Sequence, residues 1–136
     1  MGQKITVQTV INKPVDFVYK TYNDPKQVSK WNFASPDWHS PGGMNDLRVG
    51  GSFSYRMEAR DGSDGFDFGG IYKVVTKEHI QYLMSDGRYV NIYFHGHDLH
   101  THLTVEFDAE NTYPAEFQQQ GWQAILDNFK KYCDSL

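Results

Sequence analysis

Apolar and polar residues alternate with period two along most of the chain, and the period lengthens towards a helical one in two places. Ile5, Val7 and Thr9 alternate with Thr6, Gln8 and Val10, which predicts a strand over residues 3–11. Asn12-Lys13-Pro14 ends it and can open a helix, with Asn12 or Lys13 as the cap. Val15, Val18, Tyr19 and Tyr22 then fall on one helical face. Asn23-Asp24-Pro25 breaks that helix, and Lys26 to Trp31 predicts a second short one. Residues 32–46 are rich in Ser, Pro, Asp and Gly and read as a long loop, the kind that often carries function.

Period two returns after that loop. Leu47-Arg48-Val49 predicts a short strand and Gly50-Gly51 a turn. Phe53, Tyr55, Met57 and Ala59 alternate with Ser54, Arg56, Glu58 and Arg60. Asp61-Gly62-Ser63-Asp64-Gly65 is a turn by composition. Phe66, Phe68, Gly70, Tyr72 and Val74 mark one face of the next strand, and Gly69-Gly70 predicts a bulge or bend within it. Strands follow over 80–84, around Val90, Ile92 and Phe94, and around Leu103, Val105 and Phe107, with a hairpin at Asp86-Gly87. Pro114 opens a final helix to about Ser135, with Phe117, Gly121, Ile125, Phe129 and Tyr132 on one side and Trp122 and Leu126 beside them.

The predicted fold is therefore α+β in one domain, residues 1–136. A curved antiparallel sheet of about six or seven strands covers its apolar face with the long C-terminal helix. Two short helices after the first strand plug one end. A sheet curled about one helix leaves a wedge between them. The residues expected to line it are Trp31, Phe33, Trp38, His39, Phe53, Tyr55, Met57, Phe68, Tyr72, Tyr82, Met84, Ile92, Phe94, Trp122 and Ile125. Gly121 is unfavourable inside a helix relative to Ala, which suggests that space is needed there.

Composition sharpens this picture. Aromatic residues make up 15% of the chain, enough for a bulky core or a lined cavity. The net charge of −4 is spread without a basic cluster, so nucleic acid is not expected as a partner. The lone Cys133 cannot form an internal disulfide. With no signal-like apolar run at the start and no stretch of membrane-spanning length, the expected location is the cytoplasm.

Three groups of residues carry candidate chemistry. Asp37 and His39 flank Trp38 in the long loop and can form an acid–base pair, with Glu58 as an alternative partner for His39. Arg56 and Glu58 share one strand face. If Tyr55 and Met57 face inward, the Arg56–Glu58 pair faces solvent; in the opposite register Arg56 anchors a ligand carboxylate. His95, His97, His100 and His102 fall on two adjacent strands, and a turn near residues 97–98 sets His95 opposite His100 and Tyr93 opposite His102. Alternation with Phe94 and Leu103 turns His95 and His102 to solvent, so no metal site is expected. Phosphate-binding loops and nucleophile elbows are missing from the sequence, and no cofactor is expected.

Several segments resemble a known superfamily: Gly121-Trp122-Gln123-Ala124-Ile125-Leu126-Asp127-Asn128-Phe129, Gly50-Gly51-Ser52-Phe53, Asp61-Gly62, Gly70-Ile71-Tyr72 and Thr101-His102-Leu103-Thr104-Val105. Their order is similar to that of the START-like, or SRPBCC, helix-grip proteins, which include Bet v-type allergens and polyketide cyclases. The nearest likeness is to bacterial proteins similar to the C-terminal domain of the activator of heat shock protein 90 ATPase. Added to the aromatic-lined wedge between sheet and helix, this resemblance implies a carrier for a small apolar or aromatic molecule. It also implies two alternatives: a chaperone- or stress-associated interaction protein, and a cyclase- or hydrolase-type enzyme using His39 with Asp37 or Glu58. The chain is too short to hold the eukaryotic activator's separate N-terminal domain, which argues against a direct co-chaperone role. A monomer or a homodimer fits, the latter through an edge strand such as residues 3–11.

Overall fold

The computed structural model describes residues 3–136. Strand β1 (Lys4–Ile11) is followed by helices α1 (Val15–Asn23) and α2 (Pro25–Val28). Six strands come next: β2 (Trp38–Asn45), β3 (Ser52–Ala59), β4 (Gly65–Val75), β5 (His79–Leu83), β6 (Tyr89–His97) and β7 (His100–Asp108). The chain ends in α3 (Ala115–Asp134). All seven strands form one antiparallel sheet in the order β1-β7-β6-β5-β4-β3-β2. It is a curled half-barrel around α3, an α+β helix-grip arrangement.

Period-two alternation puts one row of side chains from each strand on the inner face. Ile5 and Val7 of β1 pair with Phe107 and Val105 of β7, which pair in turn with Val90 and Ile92 of β6. All six are buried, as are Ile80 and Tyr82 of β5 and Phe53, Tyr55 and Met57 of β3. Burying a side chain of this size contributes about 1.5–3 kcal/mol. From the helix side, Leu126, Phe129 and Cys133 complete the core.

Helix α3 also protects the free edge of β1. The Gln123 amide accepts from the Gln8 backbone N–H at 3.3 Å and donates to the Gln8 carbonyl at 3.0 Å. Gln119 donates to the Thr6 carbonyl at 3.3 Å. Two outward-facing positions of this edge strand are thereby occupied.

Local chemistry explains where the structure departs from the sequence expectations. Residues 38–45 are the edge strand β2, not loop. Pro41 is tolerated because the strand is at an edge, and the pairing slips between His39 and Gly42. At Gly43 a Cβ would lie 2.3 Å from Tyr55 Cδ1 and 2.4 Å from the Ser54 carbonyl oxygen, so only glycine lets β2 approach β3. Residues 47–49 form a turn instead of a strand. Asp46 holds Arg48 by its side chain, and Gly51 N–H donates to the Arg48 carbonyl at 2.8 Å. The bulge in β4 lies between Tyr72 and Val74, not at Gly69-Gly70. Those glycines instead make room for the neighbouring backbone: a Cβ at Gly69 would sit 2.3 Å from the Phe53 carbonyl oxygen.

The helices also differ in detail. Helix α1 begins after Pro14 with no side-chain cap, and Asn12 bonds Asp134 of α3. Helix α2 is four residues long and stops at Val28, short of Trp31; Asp24 caps it through Lys26 N–H at 3.0 Å. Phe117 of α3 is 60% exposed, and Gln118 is buried in its place. The Gln118 amide is fully used there, accepting from Glu110 N–H and donating to the Glu110 and Tyr113 carbonyls.

Candidate ligand pocket

The inner face of the sheet and the facing side of α3 do not meet everywhere. Between them lies a pocket of about 600 Å³. Every strand contributes to its wall: Val7, Trp38, Phe53, Tyr55, Met57, Phe66, Phe68, Tyr72, Ile80, Tyr82, Ile92 and Val105. Tyr22, Val28 and Trp31 close it from the α1–α2 side, and Gly121, Trp122, Ile125 and Leu126 from α3. Trp122 is held by stacking on Phe107, with ring centroids 4.1 Å apart and planes 14° apart. Beside it, a Cβ at Gly121 would meet no atom within 4 Å, so the glycine faces open space.

The exposed lining residues mark the mouth. Phe66 is 48%, Tyr113 56% and Phe117 60% exposed. Tyr113 and Phe117 pack at 5.3 Å, and Trp38 meets Phe66 at 5.9 Å. Aromatic rings therefore flank the opening on the helix side and on the β2–β4 side. A wall of apolar and aromatic groups with few polar ones is the usual make-up of a small-molecule site.

The deep part of the pocket contains four tyrosines. The Tyr72 hydroxyl donates to Asn45 Oδ1 at 2.6 Å. Among the described residues, the Tyr22, Tyr55 and Tyr82 hydroxyls have no hydrogen-bond partner. Burial pushes the Tyr55 hydroxyl up to about 12, with the Asp24 carboxylate adding to it. Burial also pushes Tyr22, Tyr72 and Tyr82 well above the ordinary tyrosine value, and the neighbouring hydroxyls of the group reinforce this. All four are neutral around pH 7. Trp31 Nε1 is fully buried and has no partner among the described residues. A buried donor left unmade costs about 1–3 kcal/mol.

Several residues expected at the pocket lie elsewhere. Phe94 packs edge-on against Tyr19 at 5.0 Å and Tyr22 at 5.7 Å, beneath α1. Met84 follows the end of β5, in contact with Arg88. Phe33 is tied to α3 through its carbonyl, which accepts from Asn128. His39 alternates with Trp38 and so takes the opposite face of β2. Its Nε2 lies 3.6 Å from Glu58 Oε1, and Glu58 also accepts from Arg56 Nε at 2.9 Å. Tyr55 and Met57 face inward, so Arg56 and Glu58 face outward. Asp37 is exposed and has no contact with His39 among the side-chain bonds. None of Asp37, His39 and Glu58 lines the pocket.

The pocket also takes residues that the sequence reading did not single out. Alternation and helical spacing place Tyr22, Phe117 and Leu126 only on helix faces, and Gln118 and Tyr113 sit where chain entry into α3 shapes the mouth. Tyr22, Phe66, Phe117 and Leu126 each carry the same signal, a large apolar side chain on a predicted inner face, and Gln118 and Tyr113 carry none.

The four histidines gather on the outer face of the β6–β7 hairpin. The turn is Asp98-Leu99, so His97 pairs with His100 and His95 with His102. A two-residue turn, with Asp98 in the left-handed region at φ 53°, replaces the wider one expected. Desolvation and the neighbouring imidazoles hold His97 below the usual histidine value. Among the described residues, no three His, Cys, Asp or Glu side chains are grouped to hold a metal ion. No helix among them is long and apolar enough to cross a membrane.

Residues 12–134 match the family model described as "Activator of Hsp90 ATPase homolog 1-like protein". The chain belongs to that family. A relative in Aeromonas hydrophila, an AHSA1-like protein solved in solution, is 41% identical with a TM-score of 0.90, over 98% of this chain and 93% of its own. A solution structure from Cytophaga hutchinsonii is 45% identical with a TM-score of 0.84, over 97% and 92%. A crystal structure from Chromobacterium violaceum, at 22% identity and TM-score 0.85 over 97% and 98%, shares the fold. No match is found among curated proteins.

Proposed function

We propose that this AHSA1-family protein is a cytoplasmic carrier of a small apolar or aromatic molecule, held between the sheet and α3. The observation that supports it is the pocket of about 600 Å³, walled by aromatic side chains and open between Phe66 and Phe117. A volume of this size falls within the range of small-molecule sites. Apolar contact supplies the affinity, and Trp122, fixed by Phe107, is one flat wall for a ring to lie against. The lone Cys133 is buried and its thiol is pushed up to about 12 by burial, which keeps it inert beside the pocket wall.

The uncharged fluorophore N-phenyl-1-naphthylamine tests this reading. Its emission rises on entering an apolar site, and the wild-type protein is expected to bind it with a stoichiometry of one. Gly121→Leu fills the open space beside Trp122 with a good helix former, so the fold persists while the pocket shrinks. That variant is expected to lose the probe and to melt no lower than wild type. Equal binding by wild type and variant would move the site elsewhere.

A further inference from the structure

The pocket has two unlike ends, and the deep one has chemistry that an apolar ligand alone leaves idle. At the mouth the lining is Trp38, Phe66, Tyr113 and Phe117. At depth it is the tyrosine group and Trp31. The Tyr72 and Tyr82 rings lie 6.5 Å apart, and Phe53 touches both, at 5.3 Å and 4.7 Å. Tyr22 joins Trp31 at 5.0 Å. Trp31 is only 4% exposed, and its indole N–H is closed off from the pocket space. The Tyr22, Tyr55 and Tyr82 hydroxyls each carry one proton, and none of the three has an acceptor among the described residues. Hydroxyl protons without an acceptor are therefore in surplus there. Besides the tyrosines, the lining carries one cation, Arg88, against two carboxylates, Asp64 and Glu110, and Arg88 is already paired with Asp86 at 2.8 Å.

We propose that the deep end is an uncharged hydrogen-bonding subsite, formed by the hydroxyls of Tyr22, Tyr55 and Tyr82, that receives a neutral carbonyl oxygen of an otherwise apolar ligand. This rests on the carrier reading above and adds the polarity, charge and orientation of the ligand. The carbonyl enters first and the apolar body fills the space up to the aromatic mouth. A carbonyl matches the surplus because it accepts without bringing a donor of its own. A carboxylate is disfavoured, since it meets no free cation in the lining and loses its hydration on entry. A bare hydrocarbon fits the walls but leaves the donors unmade.

Three naphthalenes of similar shape separate the possibilities: 2-acetylnaphthalene, 2-isopropenylnaphthalene and 2-naphthoate. Dissociation constants are read by NMR titration of the wild-type protein. The ketone is expected to bind at least tenfold tighter than the alkene, and the naphthoate more weakly than the ketone. Intermolecular NOEs should place the acetyl group of the ketone beside the Tyr22 and Tyr82 rings. Tyr22→Phe and Tyr82→Phe are expected to narrow the ketone–alkene gap while leaving alkene affinity unchanged, which a general loss of structure would not do. Equal binding of ketone and alkene would overturn the subsite and leave the carrier reading standing. Tightest binding by naphthoate would overturn it in favour of Arg88 as an anion anchor. Failure of all three, and of N-phenyl-1-naphthylamine, would remove the carrier reading and the subsite together.

Discussion

Glycine makes two opposite contributions in this chain, and both are readable from what a methyl group would meet. At Gly43 a Cβ collides with Tyr55 and with the Ser54 backbone, and backbone cannot yield as a flexible side chain can. At Gly121 it meets nothing. We expect Gly43→Ala to destabilise by about 1–3 kcal/mol, the range for overpacking, and to disturb the pairing of β2 with β3. We expect Gly121→Ala to stabilise by up to about 1 kcal/mol, the helix-propensity difference. Urea denaturation of the two variants side by side checks the pair; the same sign for both would show that neither space nor collision governs these sites.

At the scale of elements, the β6–β7 hairpin holds four imidazoles on one outer face, with His95–His97 ring centroids 4.6 Å apart and His97–His102 5.0 Å. The folded His97 value lies below the unfolded one, because desolvation and the charges of His95, His102 and His100 outweigh the pull of Asp98. The stabilisation tied to neutral His97 is thus present above its unfolded value of about 6.5 and is lost as pH falls through the lower folded value. The expected result is a melting temperature that declines below about pH 6.5, with a shallower decline in His97→Gln. Parallel pH–melting curves for the two proteins would place the dependence elsewhere. Salt should flatten the curve as well, since these rings are exposed.

The whole molecule encloses one thiol. Cys133 is fully buried between α3 and the sheet, and burial pushes its thiol up to about 12. Reaction with a disulfide reagent should require opening of the core, so its rate should follow global unfolding and rise steeply with urea. Fast labelling in native buffer would show that α3 detaches locally, and with it one wall of the pocket. The same core packing limits what the pocket can hold. Phe107, stacked with Trp122, also belongs to the row that joins β1, β7 and β6, so the ligand wall and the sheet core are one body. Shape selection at the pocket therefore comes with rigidity of the sheet on the β7 side.

Alternation by itself determined most of the architecture. Phe53-Tyr55-Met57, Val90-Ile92-Phe94 and Leu103-Val105-Phe107 can bury only one face each, so strand existence and inward direction were legible, and the long terminal helix was the one element able to cover them. Edge and end positions were not legible, because nothing in their own sequence decides them. Ser40-Pro41-Gly42-Gly43 becomes strand only because β3 offers a ladder and Tyr55 fills the missing Cβ space. The aromatic wall could be listed from the chain, but Phe33, Met84 and Phe94 are as apolar as the residues that line the pocket, and only packing separates the two groups. The idle hydroxyls were invisible for the same reason: whether Tyr22 or Tyr82 finds an acceptor depends on what lies across the fold, and hydrogen bonds between distant segments are decided in three dimensions.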